Sequence, residues 1–176
     1  NGVGVEKALA HHSHLVRPFE TRADWYVLIR LADNSSVDDT LNAIFEQGFE
    51  QEFLDDAVMA QTLQQERNLW ELREQMIPMQ YFKDRTMCKW DVSVPIDKIV
   101  EFLACAKAIA VRHQKEAVSY AVGHVGDGNI HYSIFPVGPP GPELDALADR
   151  YTRKIDQLIW SLDGSIVAEH GVGAAF

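Results

Sequence analysis

The sequence predicts an α+β domain with a mainly antiparallel sheet. Three observations carry that prediction: strand-like and helix-like patterns alternate along most of the chain, an Asp127-Gly128 pair joins two late strands as a hairpin, and no tract of breakers is long enough to part the 176 residues into two domains. Residues 25–31 (WYVLIRL) are aromatic and β-branched and read as the first strand. Ser36, with Asp39 three residues on, makes a capping-box-like start, and Val37, Leu41, Ile44 and Phe45 then keep one apolar face of a helix. A short strand is expected over 57–60. It is followed by a long helix on which Leu69, Leu72 and Met76 share a face flanked by Trp70, and which carries Arg73. Residues 86–94 (TMCKWDVSV) read as a strand, and Pro95 suits the first position of a helix with Ile96, Ile99, Leu103, Ala106 and Ala110 on its apolar side. Strands beginning near Val118 and Asn129 form the hairpin. Residues 136–142, rich in proline and glycine, form a loop, and a last helix over 142–162 leads through Asp163-Gly164 into a short strand at 165–168.

Composition narrows the function. With 26 acidic against 16 basic residues the formal charge is −10, so attraction to nucleic acid or to an anionic membrane surface is not expected, and a small anion would need a local cationic pocket. Cys88 and Cys105 make neither a disulfide framework nor a zinc-ribbon spacing, which suits a reducing compartment: the cytoplasm, or the mitochondrion in a eukaryote. No apolar run approaches the roughly 18 residues of a membrane span, and no signal-peptide pattern opens the chain, so it reads as soluble.

The chemistry concentrates in two segments. In GHVGDGNIH, residues 123–131, a two-residue type I′ turn at Asp127-Gly128 would set His124 directly across from His131. Their Cβ atoms would then stand about 4.5–5.5 Å apart on one face, close enough for two imidazoles to converge on one divalent cation. Asn129 and Ser133 project on the same face as His131. In AEHGVG, residues 168–173, Glu169 is the natural third ligand, since two histidines and a carboxylate make a common site with open positions. A pair of histidines that only packs, beside a solvated carboxylate, is the plain alternative. Adjacent strand residues point to opposite faces, so Glu169 and His170 can serve one site only if the backbone twists, which Gly171 permits. His11, His12 and His14 read as a polar helix end. His113 lies near a helix C-terminus, where the dipole favours a partly charged imidazole.

The segments WYVLIRL, LWELRE, CKWDVSVP, GHVGDGNIH and AEHGVG, in that order over residues 6–173, resemble the C-terminal cap domain of FAD-linked oxidases, the family of D-lactate, glycolate and D-2-hydroxyglutarate dehydrogenases. The resemblance implies a ferredoxin-like fold with helices packed on one face of the sheet. It also implies a single domain over 1–176, covering a flavin held by a separate FAD-binding domain of the same protein. It assigns His124, His131 and Glu169 to a metal, usually zinc, and His170 to catalysis as the base. Arg73, Lys89 and Asn129 fall to the substrate, a small 2-hydroxy acid, while no residue here is assigned to FAD. Two departures stand out: Ile77 replaces the threonine, and Ser133 the asparagine, of the D-2-hydroxyglutarate enzymes. The chain also ends at Ala174-Ala175-Phe176 where family members continue, which implies a truncation.

The implied reaction is oxidation of the hydroxy acid to the oxo acid. The cation would ease loss of the hydroxyl proton to His170, Arg73 and Lys89 would clamp the carboxylate, and the hydride would pass to FAD. Without the flavin domain the chain should not turn over. A non-catalytic metal- or ligand-binding module and a zinc hydrolase are the rival classes, the latter lacking its helical HExxH signature. Assembly into a homo-oligomer is left open.

Overall fold

The computed structural model describes residues 1–32 and 37–169, apart from the side chain of Met79; the expected cap at Ser36 lies outside these residues. They divide into two compact units, with the boundary between Met76 and Ile77.

The first unit holds helices α1 (Gly2–His11), α2 (Asp38–Glu50) and α3 (Leu63–Glu74). Helix α1 buries Val5 and Ala8, which a spacing of three puts on one face, and it packs with α3, which buries Leu72. Glu6 on α1 is gripped by both terminal nitrogens of Arg17, at 2.6 and 2.9 Å, and by Arg22 at 3.0 Å. The hydrogen-bonded Arg17 guanidinium is the main reason the Glu6 carboxyl titrates below its ordinary range. Helix α3 begins with a capping box: Thr62 Oγ1 accepts from the Gln65 amide at 3.2 Å, and Gln65 Oε1 accepts from the Thr62 amide at 3.1 Å. Thr62→Ala is therefore expected to lower stability by about 1 kcal/mol, read as a shift of the urea midpoint, and an unchanged midpoint would remove the box from any stabilising role.

The strands expected at 25–31 and 57–60 do not form. Residues 25–31 join no ladder among the described residues, and Trp25, Val27 and Ile29 are exposed. Aromatic and β-branched residues favour a strand only where a pleated neighbour exists to be packed against and hydrogen-bonded.

The second unit is α+β. After a one-turn α4 (Pro78–Tyr81) come β1 (Cys88–Ser93), α5 (Ile99–His113), β2 (Val118–His124), β3 (Asn129–Phe135) and α6 (Pro142–Ser161). The sheet is antiparallel in the order β1-β3-β2. A single antiparallel bridge, Ser93 to Ser165, adds the segment after α6 to the outer edge of β1. That bridge stands where a strand over 165–168 was expected, and it completes the ferredoxin-like βαββαβ order. Pro95, with ψ 140°, precedes a 3₁₀ turn at Ile96–Lys98 instead of opening the helix itself, and α5 starts only at Ile99.

Alternation along the strands makes the two sheet faces unlike. Cys88, Trp90 and Val92 of β1, Ala121 of β2, and Ile130, Tyr132 and Ile134 of β3 are buried on one face. Phe102, Ala106 and Ala110 of α5, with Tyr151, Ile155 and Ile159 of α6, at helical spacings of four, close over them. The Tyr151 hydroxyl donates to the Ala110 carbonyl at 3.2 Å, tying the two helices, and burial pushes its pKa up to about 12. Burial likewise raises the Cys88 thiol to about 11, so this cysteine is core and not a nucleophile. The expected partial charge on His113 is corrected: desolvation, and then the cations of Arg150, Arg112 and Lys154, hold its pKa below the ordinary imidazole value. Among the described residues no helix is long and apolar enough to cross a membrane.

Candidate functional site

The face of the sheet away from α5 and α6 carries the polar residues. Reading across the ladders, Asp91 of β1 lies opposite His131 of β3, which lies opposite Val122 of β2; Ser93, Asn129 and His124 form the row on one side of it, and Lys89, Ser133 and Tyr120 the row on the other. Facing partners in a ladder project to the same side, so His124, Asn129, His131 and Asp91 share this face.

The register corrects one expectation. His124 pairs with Asn129, and His131 with Val122, so the histidines are diagonal neighbours rather than directly opposed. The connection is not a two-residue turn: residues 125–128 form a four-residue loop, a 3₁₀ turn at Val125–Asp127 closed by Gly128 in the left-handed region at φ 75°. Asp127 Oδ1 accepts the Asn129 amide at 3.1 Å, and the Gly128 carbonyl accepts the Val94 amide at 3.1 Å. Those bonds use Asp127 and Gly128 as the end of a longer loop. The two extra loop residues shift the pairing by an even step, which is why both imidazoles still leave the same face.

Glu169 reaches this face from the segment after the Ser165 bridge. Its Oε1 stands 3.0 Å from His124 Nδ1 and its Oε2 3.7 Å from His131 Nε2, and the two rings lie edge to face with centroids 6.0 Å apart. His131 Nδ1, on the opposite side of its ring, faces Asp91 Oδ1 at 3.1 Å. Asp91 Oδ2 accepts the Glu169 amide at 2.9 Å, and the Asp91 carbonyl accepts the Ala168 amide at 3.1 Å. Exposure falls from one side of the cluster to the other: side chains are 51% accessible at His124, 40% at Glu169, 21% at His131 and 12% at Asp91. The cluster is thus open to a ligand at His124 and Glu169 and anchored at Asp91. Among the described residues no group of three or more His, Cys, Asp or Glu side chains stands ready-arranged as a cation site. Asn129, 4% exposed, has its amide oxygen buried without a hydrogen-bond partner beside this cluster.

The structure therefore brings together His124, His131, Glu169 and Asn129. Lys89 lies on the same face, two residues before Asp91 and opposite Ser133, with its side chain exposed. Arg73 is half-buried near the end of α3 in the first unit. His170 lies outside the described residues. The residue that sequence reasoning missed is Asp91. Its signal was the alternation in CKWDVSV, which puts Lys89, Asp91 and Ser93 on the face opposite Cys88, Trp90 and Val92.

A sheet with helices on one face and a two-histidine, one-glutamate cluster on the other, formed from a hairpin and a strand-end segment, defines the kind of domain. Residues 5–175 match the family described as FAD linked oxidases, C-terminal domain, and the chain belongs to that family. It is 34% identical over 173 residues to a D-2-hydroxyglutarate dehydrogenase of Stutzerimonas stutzeri, covering 96% of this chain and 37% of the relative. It is 32% identical over 171 residues to one of Xanthomonas citri pv. viticola, covering 96% and 35%. The mitochondrial D-2-hydroxyglutarate dehydrogenase of Rattus norvegicus is 26% identical over 171 residues, covering 94% and 30%. The chain thus spans about a third of the length of these relatives.

Proposed function

We propose that the chain is the substrate-facing domain of a flavin-dependent dehydrogenase that oxidises a D-2-hydroxy acid to the 2-oxo acid, working with an FAD-binding domain of the same protein. The observation that carries this reading is the convergence of His124, His131 and Glu169 in a chain of the FAD-linked oxidase family. FAD would be the two-electron acceptor, since no side chain here can take a hydride.

A divalent cation, zinc by the resemblance, fits the donor chemistry. Two imidazoles and a carboxylate are its usual ligands, and donors about 2.1 Å from a tetrahedral ion stand roughly 3.4 Å from one another. The separations of 3.0 and 3.7 Å reach two different oxygens of Glu169, so they support the closeness of the three side chains and not a ready-arranged set of donors. When bound, such an ion would polarise the substrate's hydroxyl and carboxylate oxygens. The chain's own residues supply the rest. By the resemblance, His170, next to Glu169 in the sequence, takes the hydroxyl proton, Arg73 and Lys89 hold the carboxylate, and Asn129 also serves the substrate.

The test is turnover of the full-length protein, this chain with its FAD domain, followed by reduction of a redox dye with D-2-hydroxyglutarate or D-lactate as donor. Flavin bleaching and dye reduction with one of them are expected. A flavin that stays oxidised with every D-2-hydroxy acid offered would refute the proposal.

A further inference from the structure

We propose that Asp91 is the positioning residue of the site: one carboxylate fixes both the main chain that presents Glu169 and the tautomer of His131. The inference rests on the reading of His131 as a cation ligand, although its first test does not.

The geometry divides the two oxygens between two tasks. Oδ2 accepts the Glu169 amide at 2.9 Å, so it sets where the Glu169 backbone sits against β1. Oδ1 faces His131 Nδ1 at 3.1 Å, and both of those atoms are sealed from solvent. The sign of that contact is set by charge: a carboxylate oxygen this close to an imidazole nitrogen is favourable only when that nitrogen carries the proton. A neutral ring has one proton. With it on Nδ1, the lone pair is left on Nε2, the nitrogen that points toward Glu169 Oε2 at 3.7 Å. Asp91 thereby keeps the outward nitrogen of His131 available as a donor to a cation, in the manner of a carboxylate behind a ligating histidine. The ladder makes this direct, because Asp91 and His131 are opposed in the β1–β3 register and need no long side chain to meet.

Asp91→Asn separates this role from a purely structural one. The Glu169 amide still requires an acceptor, so the asparagine oxygen turns to it and the asparagine NH₂ turns to His131 Nδ1. A donor in that place makes Nδ1 the acceptor and moves the ring proton to Nε2, which removes the outward lone pair. The Asp91 carbonyl's bond to Ala168 survives the change, and the fold is expected to persist.

The experiment is long-range ¹H–¹⁵N NMR of the histidine rings in the metal-free 176-residue chain at pH about 8. His131→Ala assigns the signal. The wild-type ring is expected as the Nδ1–H tautomer and the Asp91→Asn ring as Nε2–H. An Nε2–H ring in the wild type would overturn the proposal without any variant needing to fold, and so would the same tautomer in both well-folded proteins. Zinc titration then supplies the second readout, with binding weakened roughly 10–100-fold in Asp91→Asn. Equal zinc affinity in the two proteins would overturn the positioning role. Absence of zinc binding in a wild type that shows the Nδ1–H ring would instead sink the cation reading and leave the tautomer assignment standing.

Discussion

On the proposed reading, replacing His131 with alanine is expected to strip zinc from the protein and, with it, most of the flavin-linked activity proposed for this chain joined to its FAD domain. A residue that only supports a ligand costs about 10–100-fold in metal affinity when lost, so loss of one of three donors should cost more than ~100-fold. Among the three, His131 is the best placed to dominate. Its side chain is 21% accessible against 51% for His124, and it is held from behind by Asp91, so it offers a fixed nitrogen where His124 offers an exposed one. Metal analysis after dialysis, for wild type and variant side by side, decides the matter. Wild-type zinc content in His131→Ala would refute the ligand assignment, as would full turnover by metal-free enzyme. His170→Ala is the informative comparison: the metal is expected to remain while the rate falls by ~100-fold or more, as for a missing general base. An unchanged rate would remove His170 from that role.

How these residues come to meet was only partly legible in the sequence. The two-faced sheet was legible, because the period-two pattern of 88–93 and of 129–135 separates apolar from polar positions before any contact is known. The shared face of His124 and His131 was legible too, and it survived an error in the turn. Asp127-Gly128 signals a tight reversal, but the chain uses Gly128 as the left-handed end of a four-residue loop whose 3₁₀ turn begins at Val125. Local propensity does not distinguish these two uses of the same dipeptide, and only the bonds to Val94 and Asn129 do. Asp91 was not picked out because its role depends on β1 lying beside β3, a pairing between residues about forty apart that no short-range signal encodes. The same limit explains the failed strands. Residues 25–31 have the composition of a strand and, among the described residues, no ladder to join.

The second large effect is expected at Gly128, where the loop geometry carries the site. At φ 75° a residue with a side chain loses about 1–2 kcal/mol to the left-handed conformation alone. Here a Cβ would also fall 2.1 Å from the carbonyl oxygen of Val94, a backbone atom with no rotamer to yield. The hairpin must therefore move off the end of β1, breaking the bond between the Val94 amide and the Gly128 carbonyl. Gly128→Ala is expected to cost about 3 kcal/mol or more, in the upper tail for single substitutions. Gly126, two residues earlier in the same loop, has no positive φ and nothing within 4 Å of where a Cβ would stand, so Gly126→Ala should fall within about 0.5 kcal/mol of wild type. Denaturant midpoints of the two variants test the contrast directly, and a Gly128→Ala protein as stable as Gly126→Ala would show that the loop does not rest on Val94. Because Gly128 lies in the loop between His124 and Asn129, a loop forced off β1 also displaces the two residues that flank it. Gly128→Ala should therefore weaken zinc binding even under conditions where the chain stays folded, while Gly126→Ala should leave it unchanged.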